Sequence, residues 1–319
     1  MGMLIDGKWS TKWYKADDKG RFVRPETDFR STIKADDSTA FKPVAGRYHL
    51  YVSLACPWAH RTLILRKLKK LENFISLSIV DPFMGDDGWA FSSAHGCIPD
   101  SINGCSYLRE VYIKSDPHYT GRVTVPVLWD KETKSIVNNE SKQIMRMLDI
   151  EFDSIGDASV NFYPEKLREQ IDETIETIYM PINNGVYRAG FATTQEAYDE
   201  AVRELFAALH YWDSILAGSR YLCGNVITEA DWCLFTTLIR FDAVYYTHFK
   251  CNLKHIYEYA NLWNYLKELY QYPGVDETCN FSHIKSHYYL SHKHINPFGI
   301  VPAGPEIDLS TPHDRNRLS

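Results

Sequence analysis

One cysteine stands where the backbone would set its chemistry. Cys56 is followed by Pro57 and then by Trp58-Ala59-His60. The run Tyr48–Ala55 before it is β-branched and aromatic, which predicts a buried strand. After it, apolar residues recur at Ala59, Leu63, Ile64, Leu68 and Leu71, the spacing of one helix face. Arg61, Arg66, Lys67, Lys69 and Lys70 fall mostly on the other. Proline suits the first helical position, because its missing N–H would be unpaired there anyway. Cys56 is therefore expected at a strand-to-helix junction, its sulfur beside unpaired backbone N–H groups whose partial positive charge favours an anion. A thiol so placed ionises below the ~8.5 of a free cysteine, and the thiolate is the form that attacks. A lone cysteine is more often a small buried hydrophobe; the Pro57 context favours the nucleophile. Position 59 is Ala, so no Cys-x-x-Cys resolving thiol lies next door. That predicts a monothiol cycle in which an external thiol regenerates the protein.

Other reactive side chains are weaker candidates. His283 and His287 stand at i, i+4 and could share a helix face, with His292 and His294 beyond them. No His-Glu pairing of the protease kind accompanies them, and Cys279 is their one nearby cysteine, so no metal is expected. His60 lies four residues into the helix after Cys56 and is left out of the site, since the helix start already activates the thiol.

The surrounding elements must position Cys56. Phe74–Val80 reads as the return strand of a βαβ unit. Gly, Asp, Ser and Pro dominate Asp81–Asn103, a loop around Trp89 longer than a compact domain normally keeps without a use. Arg122–Asp130 is a third strand interrupted by Pro126, a candidate for a cis bond. Ser135–Asn138 starts a fourth, and Asn139-Glu140-Ser141 opens a helix through Ile144, Met145 and Leu148. Strand–helix–strand followed by strand–strand–helix is the thioredoxin arrangement. From Glu165 onward helical periods replace strand signals. Thr228 and Asp231 form a capping box there, with Ile227 and Trp232 spaced as a hydrophobic staple.

The expected fold class is thus α/β plus all-α. Residues 1–46 form an irregular arm pinned by Trp9, Trp13 and Tyr14. Residues 47–150 form the thioredoxin-like domain, with an insertion at about 81–121. A linker at 151–164 leads to a helical domain at 165–319, whose last fifteen or so residues read as a loose tail.

At 319 residues, 45% hydrophobic and 24% charged, the chain has the composition of a globular protein. A net charge of −6 without a basic block argues against nucleic acid. No apolar run is long enough to span a bilayer. The first twenty or so residues carry acids and no signal-like apolar core, and Asp6 stands where myristoylation wants Ser or Thr. Seven irregularly spaced cysteines then read as reduced thiols in the cytoplasm. The glycosylation-like triplets at Asn139 and Asn280 are chance matches.

The stretches LYVSLACPWAHRTLILRKLK, GRVTVPVLWD, NNES, NNGVYRAGF, ITEAD, RFDAVYYTHFKC and INPFGI, in this order, resemble a cytosolic glutathione transferase with an active cysteine. More narrowly the chain is similar to the xi class, the glutathionyl-hydroquinone reductases, from Asp6 to about Gly299. The resemblance implies a glutathione-transferase fold, glutathione as co-substrate, glutathionyl-hydroquinones as substrates, and a homodimer. Carried over, Cys56 is the nucleophile. Trp89, Arg122, Val123, Thr124, Val125, Glu140 and Ser141 hold glutathione. Tyr187 gives or takes a proton, and Tyr245 and Tyr288 hydrogen-bond the sulfur. Glu140 and Ser141 also read as plain helix caps, and each tyrosine as a core residue with its hydroxyl at the surface. The competing functions are an omega-like thiol transferase or dehydroascorbate reductase, and a non-catalytic binding protein of the same fold.

Overall fold

In the computed structural model, which describes residues 2–12 and 14–318, the chain opens with strands β1 (Met3–Ile5) and β2 (Lys8–Ser10). There follow β3 (Tyr48–Val52), α1 (Pro57–Leu68), β4 (Ser76–Ile79), α2 (Leu108–Ser115) and β5 (Gly121–Arg122). Next come β6 (Val127–Asp130), β7 (Ser135–Asn138) and α3 (Ser141–Ile150). The rest is helical: α4 (Arg168–Ile178), α5 (Gly185–Gly190), α6 (Gln195–Ile215), α7 (Glu229–Arg240), α8 (Tyr246–His248), α9 (Ala260–Tyr270) and α10 (Phe281–Ser291). Trp13, expected as one anchor of the arm, lies outside the described residues. Two compact units result: Met1–Trp13 with Pro25–Val160 and Thr278–Val301, and Tyr14–Arg24 with Asn161–Glu277 and Pro302–Ser319.

The first unit is built on a four-stranded sheet in the order β4-β3-β6-β7. Strand β3 runs parallel to β4 and antiparallel to β6, with Leu50 opposite both Leu77 and Leu128. All five β3 residues are buried, as an uninterrupted apolar and aromatic run requires of a strand covered on both faces. Helix α1 leaves the end of β3 and packs beside α3. This is the thioredoxin order expected. The third strand is shorter than read: Arg122 belongs to β5, which pairs with β1 in a separate sheet of order β2-β1-β5. Pro126, in a cis bond after Val125, has no N–H to give a ladder, and β6 begins at the next residue.

Further details depart from the sequence reading. The expected polar face of α1 is only partly solvated: Arg61 and, just past the helix end, Lys69 are buried, and Leu71 also lies beyond the helix. The Lys69 ammonium donates to the half-exposed Asp153 carboxylate at 2.6 Å and to the Val160 carbonyl at 2.7 Å, so its buried charge is met by two partners. The segment 81–121 is more than a loop. It contains α2, and within it the Asp100 carboxylate accepts from the Tyr51 hydroxyl (2.9 Å) and the N–H groups of Ile102, Asn103 and Cys105 (3.0 Å each). Burial pushes the Asp100 pKa up, but those donors outweigh it and hold the group below its usual value.

The arm is ordered and divided. Phe29 and Asn139 exchange hydrogen bonds, N–H to side-chain oxygen at 3.2 Å and N–H to carbonyl at 3.1 Å, and Arg30 bridges to Asn138. This covers the open edge of β7. Tyr14 and Phe22 instead pack in the second unit, where the Phe22 ring meets Phe191 at 5.3 Å. Helix α10, expected in the helical half, groups with the first unit, because His283, His287 and Ser291 all hydrogen-bond to its 82–95 segment.

The second unit is all helical, and every residue of α7 is buried. The expected capping box starts it: Asp231 accepts from the Thr228 N–H at 2.7 Å, and also from the Leu222 N–H (2.9 Å) and the Tyr265 hydroxyl (2.7 Å). The tail is not loose. Arg315 is fully buried and donates to the carbonyls of Leu216, Ser219 and Arg220 at 2.6–2.7 Å, closing the end of α6 where cationic donors are favoured.

His49 on β3 lies fully buried between the hydroxyls of Ser76 (2.7 Å) and Ser78 (2.9 Å), and burial pushes its pKa down to about 4. The unfolded chain, with an imidazole near ~6.5, binds that proton more readily, so the neutral ring stabilises the fold fully above that pH and progressively less below it. Urea unfolding at pH 7, 6 and 5 should show wild type losing up to about 1.4 kcal/mol per pH unit from this group. His49→Gln should lack that component while starting less stable at pH 7.

Candidate active site

Cys56 is the residue that caps α1, with Pro57 in the first helical turn and no acidic residue to offset the helix start. Its backbone is extended (φ −77°, ψ 122°), and its carbonyl accepts the first helical bond from His60 at 3.0 Å. The half-buried thiol lies 3.6 Å from the Val125 carbonyl, immediately before the cis proline. The sulfur therefore sits between a helix start, which favours the thiolate, and a carbonyl that accepts the proton of the thiol. Four other thiols are held in the opposite state. Burial pushes Cys105 up to about 12 and raises Cys97, Cys223 and Cys251. His60, four residues along, bonds Thr278 at 2.8 Å and lies 3.9 Å from the Cys279 sulfur.

The segment before Pro126 is held by its backbone. Val123 and Val125 are buried, and the Arg122 guanidinium donates to the Lys12 carbonyl. Both backbone groups of Thr124 meet the Tyr112 hydroxyl. Glu140 caps α3: its carboxylate accepts from the Lys142 N–H at 3.2 Å and from the Ser141 and Thr27 hydroxyls at 3.4 Å. The capping role read from the sequence is thus present, and the buried Ser141 stands at the helix start beside it.

Trp89 is buried, and its ring stacks on His287 of α10, centroids 4.7 Å apart. His287 Nδ1 also donates to the Pro82 carbonyl at 2.9 Å, and His283 Nε2 to the His95 carbonyl at 2.8 Å. These histidines tie down the Trp89 segment. Among the described residues no cluster of three or more His, Cys, Asp or Glu is placed to hold a metal ion. Tyr288, 1% exposed, stands edge-on to His287 at 5.2 Å, so Trp89 and Tyr288 flank the same imidazole.

In the second unit Tyr187 of α5 and Tyr245 come together, their buried hydroxyls 3.4 Å apart and Phe249 packed on both rings. Tyr245 ends a π-helical turn, Phe241–Tyr245, a local irregularity often found at functional positions. Sequence reasoning missed Tyr112 and His287 as parts of the site's framework. Tyr112 lay in a stretch read as loop, and His287 carried only a metal question.

The two-part fold has counterparts among known proteins. Residues 55–150 match the glutathione S-transferase N-terminal domain, and residues 195–268 its C-terminal domain. Over 99% of both chains, the sequence is 51% identical to the glutathionyl-hydroquinone reductase YqjG of Escherichia coli. It is 50% identical to the glutathionyl-hydroquinone reductase PcpF of Sphingobium chlorophenolicum, over 97% of this chain and 98% of that one. A solved Xi class GST from Natrialba magadii superposes with a TM-score of 0.95 at 53% identity, covering 100% of this chain and 98% of that one. The glutathione-bound structure of YqjG superposes with a TM-score of 0.90 at 50% identity over 99% of each. The chain belongs to the glutathione S-transferase family, and within it to the Xi class. The thioredoxin-like and all-helical parts of that fold are the two regions described above.

If the α10 histidines hold the Trp89 segment, His287→Ala should speed amide hydrogen exchange across residues 82–90, by about tenfold or more, and leave α1 unchanged. Exchange equal to wild type would assign that segment's order to other contacts.

Proposed function

We propose that this protein reduces S-glutathionyl-hydroquinones to hydroquinones through a Cys56–glutathione mixed disulfide. It is a glutathione-dependent oxidoreductase of the glutathione transferase superfamily, and glutathione is its co-substrate. The observation carrying the reading is the Cys56 sulfur at the start of α1, 3.6 Å from the carbonyl that precedes the cis proline. The helix start favours an attacking thiolate at neutral pH, while the carbonyl can receive the proton of the resting thiol.

In the first step the Cys56 thiolate attacks the sulfur that links glutathione to the aromatic ring. An S–S bond forms, the S–C bond breaks, and its electron pair stays on the ring carbon, which must take a proton to leave as hydroquinone. Tyr187 is the proposed donor. The neighbouring Tyr245 hydroxyl, 3.4 Å away, can share the negative charge left on its oxygen. Tyr245 and Tyr288 are the proposed hydrogen-bond donors to the Cys56 sulfur. In the second step a glutathione thiolate attacks the glutathionyl sulfur of the mixed disulfide, releasing oxidised glutathione and the Cys56 thiolate.

Glutathione is proposed to lie with its peptide along Arg122–Val125 and its γ-glutamyl end at the start of α3. There the N–H groups suit its carboxylate, and Glu140 suits its ammonium. Trp89 would close over it. A cytoplasmic homodimer is the proposed setting. No disulfide joins any of the seven cysteines, and among the described residues no helix is long and apolar enough to cross a membrane.

One equivalent of a glutathionyl-hydroquinone, followed by peptide mass spectrometry, should place a glutathione adduct on Cys56 and nowhere else. Cys56→Ala should lose essentially all turnover. An adduct on another cysteine, or none, defeats the scheme. Tyr187→Phe should slow release of hydroquinone by about 10²-fold or more while reducing a simple glutathione mixed disulfide nearly as fast as wild type, because only the ring carbon needs the acid. Equal losses on both substrates would remove Tyr187 from that role.

A further inference from the structure

Tyr112 lies in α2, in the stretch inserted between β4 and β6, and its side chain is fully buried against Phe29 (ring centroids 5.8 Å) and Tyr119 (5.2 Å). A phenol hydroxyl can donate one hydrogen bond and accept two, and here all three positions are taken. It donates to the Thr124 carbonyl at 2.8 Å and accepts from the Thr124 N–H at 3.3 Å and the Asn139 side-chain amide at 3.1 Å. Asn139 in turn is locked by its two hydrogen bonds with Phe29. One oxygen thus joins the backbone before the cis proline to the residue that precedes Glu140 and Ser141.

We infer that Tyr112 is a positioning residue that holds the two glutathione-binding segments, Thr124-Val125 and Glu140-Ser141, at the spacing one tripeptide requires. The inference rests on the glutathione site proposed above. Thr124 has its N–H and carbonyl committed to Tyr112, so the backbone of Val125 is the next pairing edge along the segment. On the other side the amide of Asn139 anchors the turn from β7 into α3. Replacing the hydroxyl with hydrogen leaves the ring's packing intact and strands the buried Asn139 amide and both backbone groups of the half-buried Thr124, so the segments lose their common tether and not their individual folds.

Tyr112→Phe in the full-length protein tests this. The KM for glutathione and the KM for a glutathionyl-hydroquinone should both rise by about tenfold, with kcat at saturation within about twofold of wild type, the signature of lost binding common to ground and transition states. The rate of Cys56 alkylation by iodoacetamide, which needs no glutathione, should stay unchanged. A lower unfolding temperature with both KM values at wild type would make Tyr112 a structural residue only and overturn the inference. Glu140→Gln and Ser141→Ala separate this from failure of the site itself. If they raise the KM for glutathione and Tyr112→Phe does not, the positioning role falls and the site stands. If they leave it unchanged, the site assignment falls and the role falls with it. Should the Tyr112 variant not fold, Asn139→Ala breaks the same link from the other side and is judged by the same KM and kcat values.

Discussion

The rest of the structure depends on how α1 begins. A strand ends at Val52, the chain turns, and Pro57 starts a helix whose first N–H groups have no partner within it. Cys56 is placed at that point by backbone geometry alone, since its own carbonyl already belongs to the helix. The peptide dipoles of a helix start favour an anion there, and their contribution does not change with pH. Everything else in the first unit either fixes this junction or shapes what can approach it. The sheet register sets where β3 ends, α3 backs α1, and Val125 turns its carbonyl toward the sulfur.

Polar groups buried with several partners recur at the joints of both units. The Asp100 carboxylate gathers three backbone N–H groups and a phenol, while the Tyr112 hydroxyl joins two loops and Lys69 ties a helix end to residues far along the chain. In the second unit Asp231 and Arg315 play the same part. Such groups are costly when a partner is missing, so they penalise alternative loop conformations more sharply than apolar contacts of similar area.

Much of this was legible in the sequence because local rules agree with the final packing. The β-branched run, the Cys-Pro step, the cis-proline candidate and the Thr228–Asp231 box each carry their own physical signature, and each was found where it was read, save that the strand read to Ala55 ends at Val52. What was missed depends on distant partners. Arg61 and Lys69 look like a solvated face until burial and pairing are known. The arm at Phe29 and Arg30 has no strand pattern, because it borrows its order from the edge of β7. Tyr112 sits past the Gly-, Ser- and Pro-rich 81–103 loop, in a part of the insertion where no element was read, and His287 shows nothing of Trp89 in its spacing. The candidate site was legible as a set of residue types. Which of those side chains share a hydrogen bond, as Tyr187 and Tyr245 do, was not, because no local period links positions 58 residues apart.

Helix α10 gives the chain an order of assembly. Its residues come after nearly all of the second unit's helices in the sequence, yet they complete the first. A ribosome making this protein would release β3, α1 and their sheet early, with the Trp89 segment still lacking the imidazole it stacks on and the carbonyls of Pro82 and His95 still open to water. Only when the chain has been synthesised past Ser291 does that segment gain its cover, so the first unit waits for most of the second to be made. Such long-range closure slows folding relative to local helix pairing. A nascent chain halted anywhere before α10 would carry the Cys56 junction in an incomplete domain, a natural substrate for chaperones and proteases.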